Sequence, residues 1–300
     1  MSLRSAFSGI FPLVSFLHVP RQMPQPKWLA LGTAFCVHPS VLTESLRSRY
    51  PVILLTAAHT FVPWNFLKLG LPEDFCKARY IVVRLYAYDD LGAARPDVYV
   101  DARLVATHPV ADLAAISVKD LGTWESFLSK HNDASSTPGC ENVLNHSLVV
   151  PDGVTQATMM GFRGRGVLGD AENVDLERLK ALPADERHAL QAKYVHAVGQ
   201  QDAFSTTVTF PSPAEKASLP SAAFTSSRLD TTPPSQPPAT SITAVGKVDT
   251  LRGLAGMSGS PLLKRDGGCL GILTHGSKVP GSYVNYVPSA VALDWVRGVS

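Results

Sequence analysis

Three short patterns in the sequence carry side chains that could work together in catalysis. His59 follows a hydrophobic run and two alanines, Asp112 stands at the start of another apolar run, and Ser258 lies between glycines in a tight loop. A serine hydroxyl becomes a nucleophile when a neutral histidine can take its proton, and a buried carboxylate can orient that histidine. Glycines beside the serine let the chain turn tightly enough to aim backbone N–H groups at a developing oxyanion. Together, the three patterns indicate nucleophilic chemistry at a carbonyl carbon.

Each pattern also has an ordinary structural interpretation. A histidine beside a strand is often a packed side chain, an aspartate before an apolar run is often a turn or a cap, and a Gly/Ser loop is often only a turn. The combination is more specific, because the chain order His59, Asp112, Ser258 differs from the orders found in subtilisin and in α/β-hydrolases. The hydrolase pattern G-x-S-x-G is also absent, since Ser260 occupies its last position.

The residues around these three positions resemble trypsin-like serine proteases of the chymotrypsin fold. The resemblance extends from about Ile10 to Trp295, with residues 166–241 excluded. It favours the disulfide-poor, intracellular and bacterial-type branch, because Thr60 and not a cysteine comes directly after His59, and because Met257 stands where the zymogen-activated branch has an aspartate. The matching segments are Gly32-Thr33-Ala34-Phe35, Thr56-Ala57-Ala58-His59, Asp112-Leu113-Ala114 and Gly256-Met257-Ser258-Gly259-Ser260-Pro261.

This resemblance implies a serine endopeptidase that hydrolyses a polypeptide substrate through an acyl-enzyme. Ser258 is then the nucleophile, His59 the general base and Asp112 the residue that orients His59. The backbone N–H groups of Gly256 and Ser258 would form the oxyanion hole, and no metal or other cofactor is implied. The resemblance also implies that Thr274-His275-Gly276 pairs with extended substrate backbone.

Two residues bear on which substrate side chain is accepted next to the scissile bond. The family's pocket-base position falls on Arg252, and His275 lies on the strand that resembles the pocket lining. A cationic pocket would favour acidic side chains, as in glutamyl endopeptidases. The alternative is that this loop has its own length and that Arg252 points to solvent.

Short β-like runs bounded by turn residues occupy both ends of the chain and indicate an all-β fold. The resemblance implies two six-stranded antiparallel β-barrels, the first in residues 1–120 and the second in residues 151–300, joined by a linker in residues 121–150. A short helix, Ser289–Arg297, is predicted to close the chain. The predicted strands are Ile10–Val19, Trp28–Val37, Val52–Thr56, Tyr80–Tyr86, Val98–Val105, Ala114–Val118, Ala157–Gly161, Ile242–Val248, Leu270–Leu273 and Tyr283–Val287.

Residues 166–241 are predicted to be a partly helical, partly disordered insertion in the second barrel. Within it, Glu172–Val198 has helical periodicity interrupted at Pro183, and Ser205–Ser241 is rich in proline, serine and threonine. A segment of that second composition can bury little apolar surface, so we predict that it is disordered. Two interpretations stay open: an inert surface loop, or a lid, autolysis site or partner tether.

Composition excludes several other classes of protein. The hydrophobic content of 45% is enough for a folded core, and the net charge of +2 gives no strong electrostatic case for nucleic acid or an anionic membrane as the main partner. No apolar run reaches the roughly 18 residues of a membrane-spanning helix. The four cysteines are scattered, without zinc-binding spacing and without the density of a disulfide scaffold, and reduced thiols favour an intracellular, cytoplasmic protein. Residues 1–43 lack Asp and Glu and resemble a mitochondrial transit segment, so a mitochondrial protein is the alternative.

Two other functions are compatible with the same residues. A misaligned or occluded triad would give a catalytically silent binding or scaffold protein on the protease fold. A triad that accepts small acyl substrates would give an esterase, and the relative rates on amide and ester substrates would separate that activity from peptide hydrolysis. The sequence does not indicate an oligomeric state.

Overall fold

The computed structural model covers most of the residues that the sequence singles out. Arg252 and the predicted helical stretch Glu172–Val198 lie outside the described residues, so the structure does not test either prediction. The described residues are 7–19, 22, 27–65, 73–131, 146–148, 153–164, 201–219, 243–249, 254–276 and 283–299.

The first barrel is a closed antiparallel sheet of six strands in the order β1-β2-β3-β6-β5-β4. Strands β1 and β6 are buried along their whole lengths, as their almost continuous apolar sequences predict. A short helix α1 (Glu44–Arg49) lies between β2 and β3. The strands are β1 (Ile10–Leu17), β2 (Lys27–Cys36), β3 (Leu54–Thr56), β4 (Ile81–Tyr88), β5 (Ala94–Thr107) and β6 (Ala114–Val118).

The second barrel has the same strand order as the first. Its six antiparallel strands close in the order β7-β8-β9-β12-β11-β10. The prediction of an all-β fold with two six-stranded barrels is therefore confirmed. The strands are β7 (Gln156–Gly164), β8 (Gln201–Thr209), β9 (Ala244–Lys247), β10 (Pro261–Leu263), β11 (Cys269–Gly276) and β12 (Tyr283–Pro288).

The structure corrects the extent of the predicted insertion 166–241. Strand β8 lies inside that range, yet it belongs to the barrel and pairs with β7. Gly164 pairs with Gln201 at one end of the ladder, and Gln156 pairs with Thr209 at the other. Branched β carbons favour strands, so the threonines of β8 support pairing although the same composition resembles a low-complexity segment. A short helix α3 (Pro213–Ser218) follows. The other parts of the predicted insertion, residues 166–200 and 220–241, lie outside the described residues.

A helix α2 (Leu121–His131) begins where the sequence predicts only a linker. Its buried side chains recur at the spacing of one helical face and cover the first barrel. The ring centroids of Trp124 and Phe127 lie 5.5 and 5.6 Å from that of Phe11 in β1. The buried residues of α2 are Trp124, Phe127, Leu128 and His131.

The chain closes with helix α4 (Ser289–Gly298), which confirms the helix predicted at Ser289–Arg297. Ser289, Ala292 and Val296 face inward along it. Within the described residues, none of the helices has the length and apolar character needed to cross a lipid bilayer.

Candidate active site

His59 and Asp112 form a hydrogen-bonded pair in the first barrel. The Asp112 carboxylate accepts two bonds from the same residue: Oδ1 from the His59 backbone N–H at 2.8 Å, and Oδ2 from the ring Nδ1 at 2.7 Å. Because a carboxylate can only accept, this contact places the proton of the neutral ring on Nδ1 and leaves Nε2 unprotonated. A histidine in this tautomer can act as a general base through Nε2.

The environment of the pair changes the pKa of His59. Burial of the ring opposes its charge, but the charge of Asp112 and its hydrogen bond together raise the pKa of His59 above the ordinary histidine value. The Asp112 side chain is 2% exposed, whereas the His59 side chain keeps 13% exposure. The carboxylate therefore acts on the ring from the protein interior, while part of the ring remains accessible to solvent.

Small residues bring His59 close to the barrel wall. The chain leaves β3 and enters a single 3₁₀ turn, Ala58–Thr60, and both Ala57 and Ala58 are fully buried. Alanine permits this close packing because it has no side chain beyond the β carbon. The Thr60 hydroxyl donates to Ala57 O at 2.6 Å and closes the turn around His59.

Ser258 lies in a loop of the second barrel that begins with a tight turn. Met257 N donates to Leu254 O at 2.9 Å, and Gly256, the third residue of this turn, has a φ of 89°. A positive φ at that position is typical of a type II turn and favours glycine. Met257 is fully buried and Ser258 is half-buried. The turn therefore anchors the residue before Ser258 in the core and leaves Ser258 partly accessible.

The backbone N–H groups of Gly256 and Ser258 are available as donors. Ala255 O accepts a hydrogen bond from Gly164 N at 3.0 Å. Since the C=O and N–H of one planar peptide point in opposite directions, this bond turns the N–H of Gly256 away from β7. In the part of the chain that the structure describes, neither N–H donates to a protein acceptor. Two such donors beside a serine are what an oxyanion hole requires.

Thr33 of β2 connects the first barrel to the loop of Ser258. Its N–H donates to Ser258 O at 2.7 Å, and its hydroxyl accepts from Phe162 N at 2.9 Å and donates to Gly256 O at 3.3 Å. Its carbonyl accepts from the hydroxyl of Thr56, the last residue of β3, at 2.8 Å. The loop of Ser258 is thereby held against the segment that leads to His59.

The three residues expected to contact substrate lie at the end of β11. Thr274 is buried and its hydroxyl donates to Asn285 O at 3.1 Å. His275 is half-buried, and its ring Nε2 lies 3.0 Å from Asn285 Nδ2, while Gly276 is exposed. The register with β12 shifts between Leu273 and His275, which marks a bulge in this strand. Contact of these residues with a substrate stays a prediction.

Two cysteines in the described part of the chain are buried, and both are unsuited to act as nucleophiles. Burial raises the pKa of the Cys36 thiol, and it raises the pKa of Cys269 to about 11. Since the thiolate is the reactive form, both thiols are inert at neutral pH. Over the described ranges, no group of three or more His, Cys, Asp or Glu side chains could hold a metal ion.

No model of a known protein family matches the sequence, and a comparison with curated proteins found no match. One solved structure that is similar is that of Rv3671c from M. tuberculosis H37Rv, a serine-to-alanine mutant in its inactive form. The two chains share 13% sequence identity, and the similarity covers 96% of this chain and 85% of that one, with a TM-score of 0.42.

The sequence motifs assign no role to Thr33 or Asn285. Thr33 is fully buried in β2. In the sequence it is a polar residue within an apolar run, and a polar residue in such a run needs a hydrogen-bond partner, which is the signal that could have identified it. Asn285 is also fully buried, and it contacts Thr274 and His275 from the neighbouring strand. Its partners become apparent only from the pairing of β11 with β12.

Replacing Gly259 by alanine should displace the loop of Ser258. Gly259 has a φ of 90°, and a β carbon there would overlap Thr33 O and lie 2.5 Å from Thr56 Oγ1. Backbone strain and crowding should together lower the free energy of unfolding by about 3 kcal/mol. Chemical denaturation would measure this change.

Gly267→Ala is the matched control for that substitution. Gly267 has a similar φ of 82°, but the position of a β carbon there has no heavy atom within 4 Å. Its replacement should cost only about 1–2 kcal/mol, from the positive φ alone. Equal losses of stability in the two variants would contradict the packing of Gly259 against Thr33.

Proposed function

We propose that this chain is a serine endopeptidase in which His59, Asp112 and Ser258 act as a catalytic triad. The observation that carries the proposal is the pair of hydrogen bonds from His59 to the buried carboxylate of Asp112. They favour the tautomer whose Nε2 can take a proton from a serine hydroxyl. The bonds of Thr33 to the loop of Ser258 support the proposal, because they join that loop to the first barrel.

The proposed reaction proceeds through an acyl-enzyme. Ser258 Oγ attacks the scissile carbonyl carbon while His59 Nε2 takes the hydroxyl proton, and the N–H groups of Gly256 and Ser258 stabilise the oxyanion. The C–N bond then breaks, and His59 gives its proton to the leaving amine. A water molecule, deprotonated by His59, next attacks the acyl carbon. The carboxylic acid product leaves and Ser258 regains its proton.

The proposed substrate is an extended polypeptide. Gly276, at the end of β11, is exposed, and an extended substrate could add to this strand end through main-chain hydrogen bonds. Specificity for the substrate side chain would come from pockets beside that strand, and an acidic preference would require Arg252 to face such a pocket. Profiling with a peptide library would test the acidic preference.

A fluorophosphonate probe tests whether Ser258 is activated. The serine oxygen displaces fluoride from phosphorus, so the purified wild type should become labelled and Ser258→Ala should not. Ser260→Ala is the matched control, because Ser260 is a buried serine of the same loop. Labelling of this control should persist, which would assign the reactive hydroxyl to position 258.

The outcome separates the alternatives. A wild type that resists the probe would contradict an activated serine and favour a catalytically silent scaffold. A wild type that is labelled and hydrolyses esters, but cleaves no peptide of a diverse library, would favour an esterase. Peptide cleavage that is lost together with labelling in Ser258→Ala would support the endopeptidase.

A further inference from the structure

The ring of His108 organises the turn that precedes Asp112. His108 Nδ1 accepts hydrogen bonds from the backbone N–H groups of Val110 at 3.1 Å and Ala111 at 2.8 Å. The backbone N–H of His108 donates to Leu113 O at 2.8 Å. The hydrogen bonds of this one residue therefore enclose Asp112 on both sides along the chain.

These contacts determine which ring nitrogen of His108 carries the proton. A nitrogen that accepts two N–H bonds is unprotonated, so the neutral ring carries its proton on Nε2. Nδ1 is bonded to Cγ, as Oδ1 of an asparagine is, so His108 makes the hydrogen bonds of an Asx turn. The ring also packs against Trp295 of α4, with the two ring centroids 5.7 Å apart.

The position of Asp112 in turn decides the position of His59. Asp112 is 1% exposed, and both of its carboxylate oxygens bind His59. If the turn shifted, the carboxylate would move, and the His59 ring would have to follow it or lose the bond to Nδ1. A misplacement of about 1 Å in a catalytic group can cost about 10²-fold in rate.

We propose that His108 is a positioning residue, which holds the turn so that the carboxylate of Asp112 meets both N–H groups of His59. The expected effect on rate rests on the proposed function. The expected effect on the His59 ring does not, because it follows from hydrogen bonding alone. His108 acts through Asp112 and touches no reacting atom.

Three substitutions at position 108 separate the role of the acceptor from that of the ring. His108→Asn keeps an acceptor at the place of Nδ1, His108→Gln moves the acceptor by one methylene, and His108→Phe keeps an aromatic ring without the acceptor. The Phe and Gln variants should lose about 10²-fold in kcat with little change in KM for a peptide substrate. The kcat of the Asn variant should stay within about tenfold of the wild-type value, because a factor of about ten corresponds to the net free energy of one hydrogen bond.

The His59 ring gives a readout that needs no turnover. NMR titration of His59, carried out with each variant in a Ser258→Ala background, follows how closely Asp112 approaches the ring. The raised pKa of His59 should persist with Asn at position 108 and should fall in the Phe and Gln variants, since burial remains while the carboxylate withdraws. A substitution that only weakened the fold would lower Tm without moving this titration.

His38 provides a matched control for these variants. Its Nδ1 also accepts a backbone hydrogen bond, from Ser40 N at 3.2 Å, in an exposed turn of the first barrel. His38→Phe should therefore leave both kcat and the His59 titration unchanged.

Failure of this inference can be distinguished from failure of the proposed function. A wild type that resists the fluorophosphonate probe contradicts the proposed function, and the His59 titration still tests the positioning by His108. A wild type that is labelled, together with a His108→Phe variant that matches it in kcat and titration, overturns the inference. If the Phe variant does not fold, equal kcat and equal titration of the Asn and Gln variants overturn it instead.

Discussion

Removing the hydroxyl of Ser258 should lower kcat on a peptide substrate by about 10⁶-fold, and removing the ring of His59 should cost the same. The hydroxyl is a weak nucleophile without a base, and the base has no proton to take without the hydroxyl. Because the two groups act in one step, Ser258→Ala/His59→Ala should be no slower than either single variant. Steady-state kcat values of the three variants on one peptide would measure this coupling.

Two substitutions control for the loss of a side chain of the same type. Ser260→Ala removes a hydroxyl from the same loop, and His38→Ala removes an exposed histidine of the first barrel. Both should keep most of the wild-type kcat. If the fold losses in kcat of Ser258→Ala and His59→Ala multiplied in the double variant, the two residues would act independently. The assignment of the triad would then be wrong.

The apolar strands of both barrels are predictable because their side chains form the cores. Strand β6, for example, is found at Ala114–Val118 with the predicted bounds, since it is apolar and fully buried. The sequence does not predict strand β8, because its side chains are mostly polar and only some of them are buried. Strand β8 is held in the barrel by backbone pairing with β7 along nine residues. The amino-acid composition of this segment does not predict that pairing.

The position of β8 also limits how the predicted insertion can be tested. Deleting residues 166–241 would remove β8 and open the second barrel between β7 and β9. Shorter deletions, within 166–200 or within 220–241, spare this strand. The hypothesis of a lid is therefore tested by the shorter deletions, and a gain of probe labelling in either one would support it.

The sequence motifs identify the candidate reactive side chains, whereas the groups that would position them are not apparent from the sequence. Local motifs around His59, Asp112 and Ser258 carry the residue types that the chemistry needs. The hydrogen bond from Thr33 to Gly256 joins residues 223 positions apart. Such contacts depend on how the two barrels meet, which spacing along the sequence does not encode.

Replacing Asp112 by asparagine should have the second largest effect on rate, because it reverses the hydrogen bonding of the pair. Both carboxylate oxygens accept from His59, whereas an amide presents an NH₂ group that cannot accept. With that group facing Nδ1, the ring would carry its proton mainly on Nε2, and only its minor tautomer, protonated on Nδ1, could take the proton of Ser258. We expect kcat to fall by about 10⁴-fold.

Asp101→Asn is the control for this loss of charge. Asp101 is an exposed residue of the first barrel that pairs with Arg84, with 66% exposure of its side chain. Exposed ion pairs contribute little to stability, so this variant should keep the wild-type rate and fold. A kcat of Asp112→Asn close to that of Asp101→Asn would mean that Asp112 does not orient His59.

The pH dependence of activity should also change in Asp112→Asn. Activity requires neutral His59, so kcat/KM of the wild type should fall as the pH drops below the raised pKa of that ring. Without the carboxylate charge, burial remains and lowers the pKa of His59. The acid limb of the residual activity should therefore move to lower pH, and an unchanged limb would contradict the assignment of the base.

The His59–Asp112 pair should contribute most to the free energy of unfolding at low pH, where the enzymatic activity is lowest. Because the pKa of His59 is raised, the charged form of its ring stabilises the folded state. This contribution is fully present when the pH is below the ordinary pKa of 6.5, and it is lost as the pH rises through the raised pKa. Asp112→Asn lacks this contribution. The difference in unfolding free energy between the wild type and Asp112→Asn, measured by urea denaturation, should therefore shrink as the pH rises across that window. A difference that grew with pH would show that the folded state favours the neutral ring, and the carboxylate would then not stabilise the imidazolium that forms during catalysis.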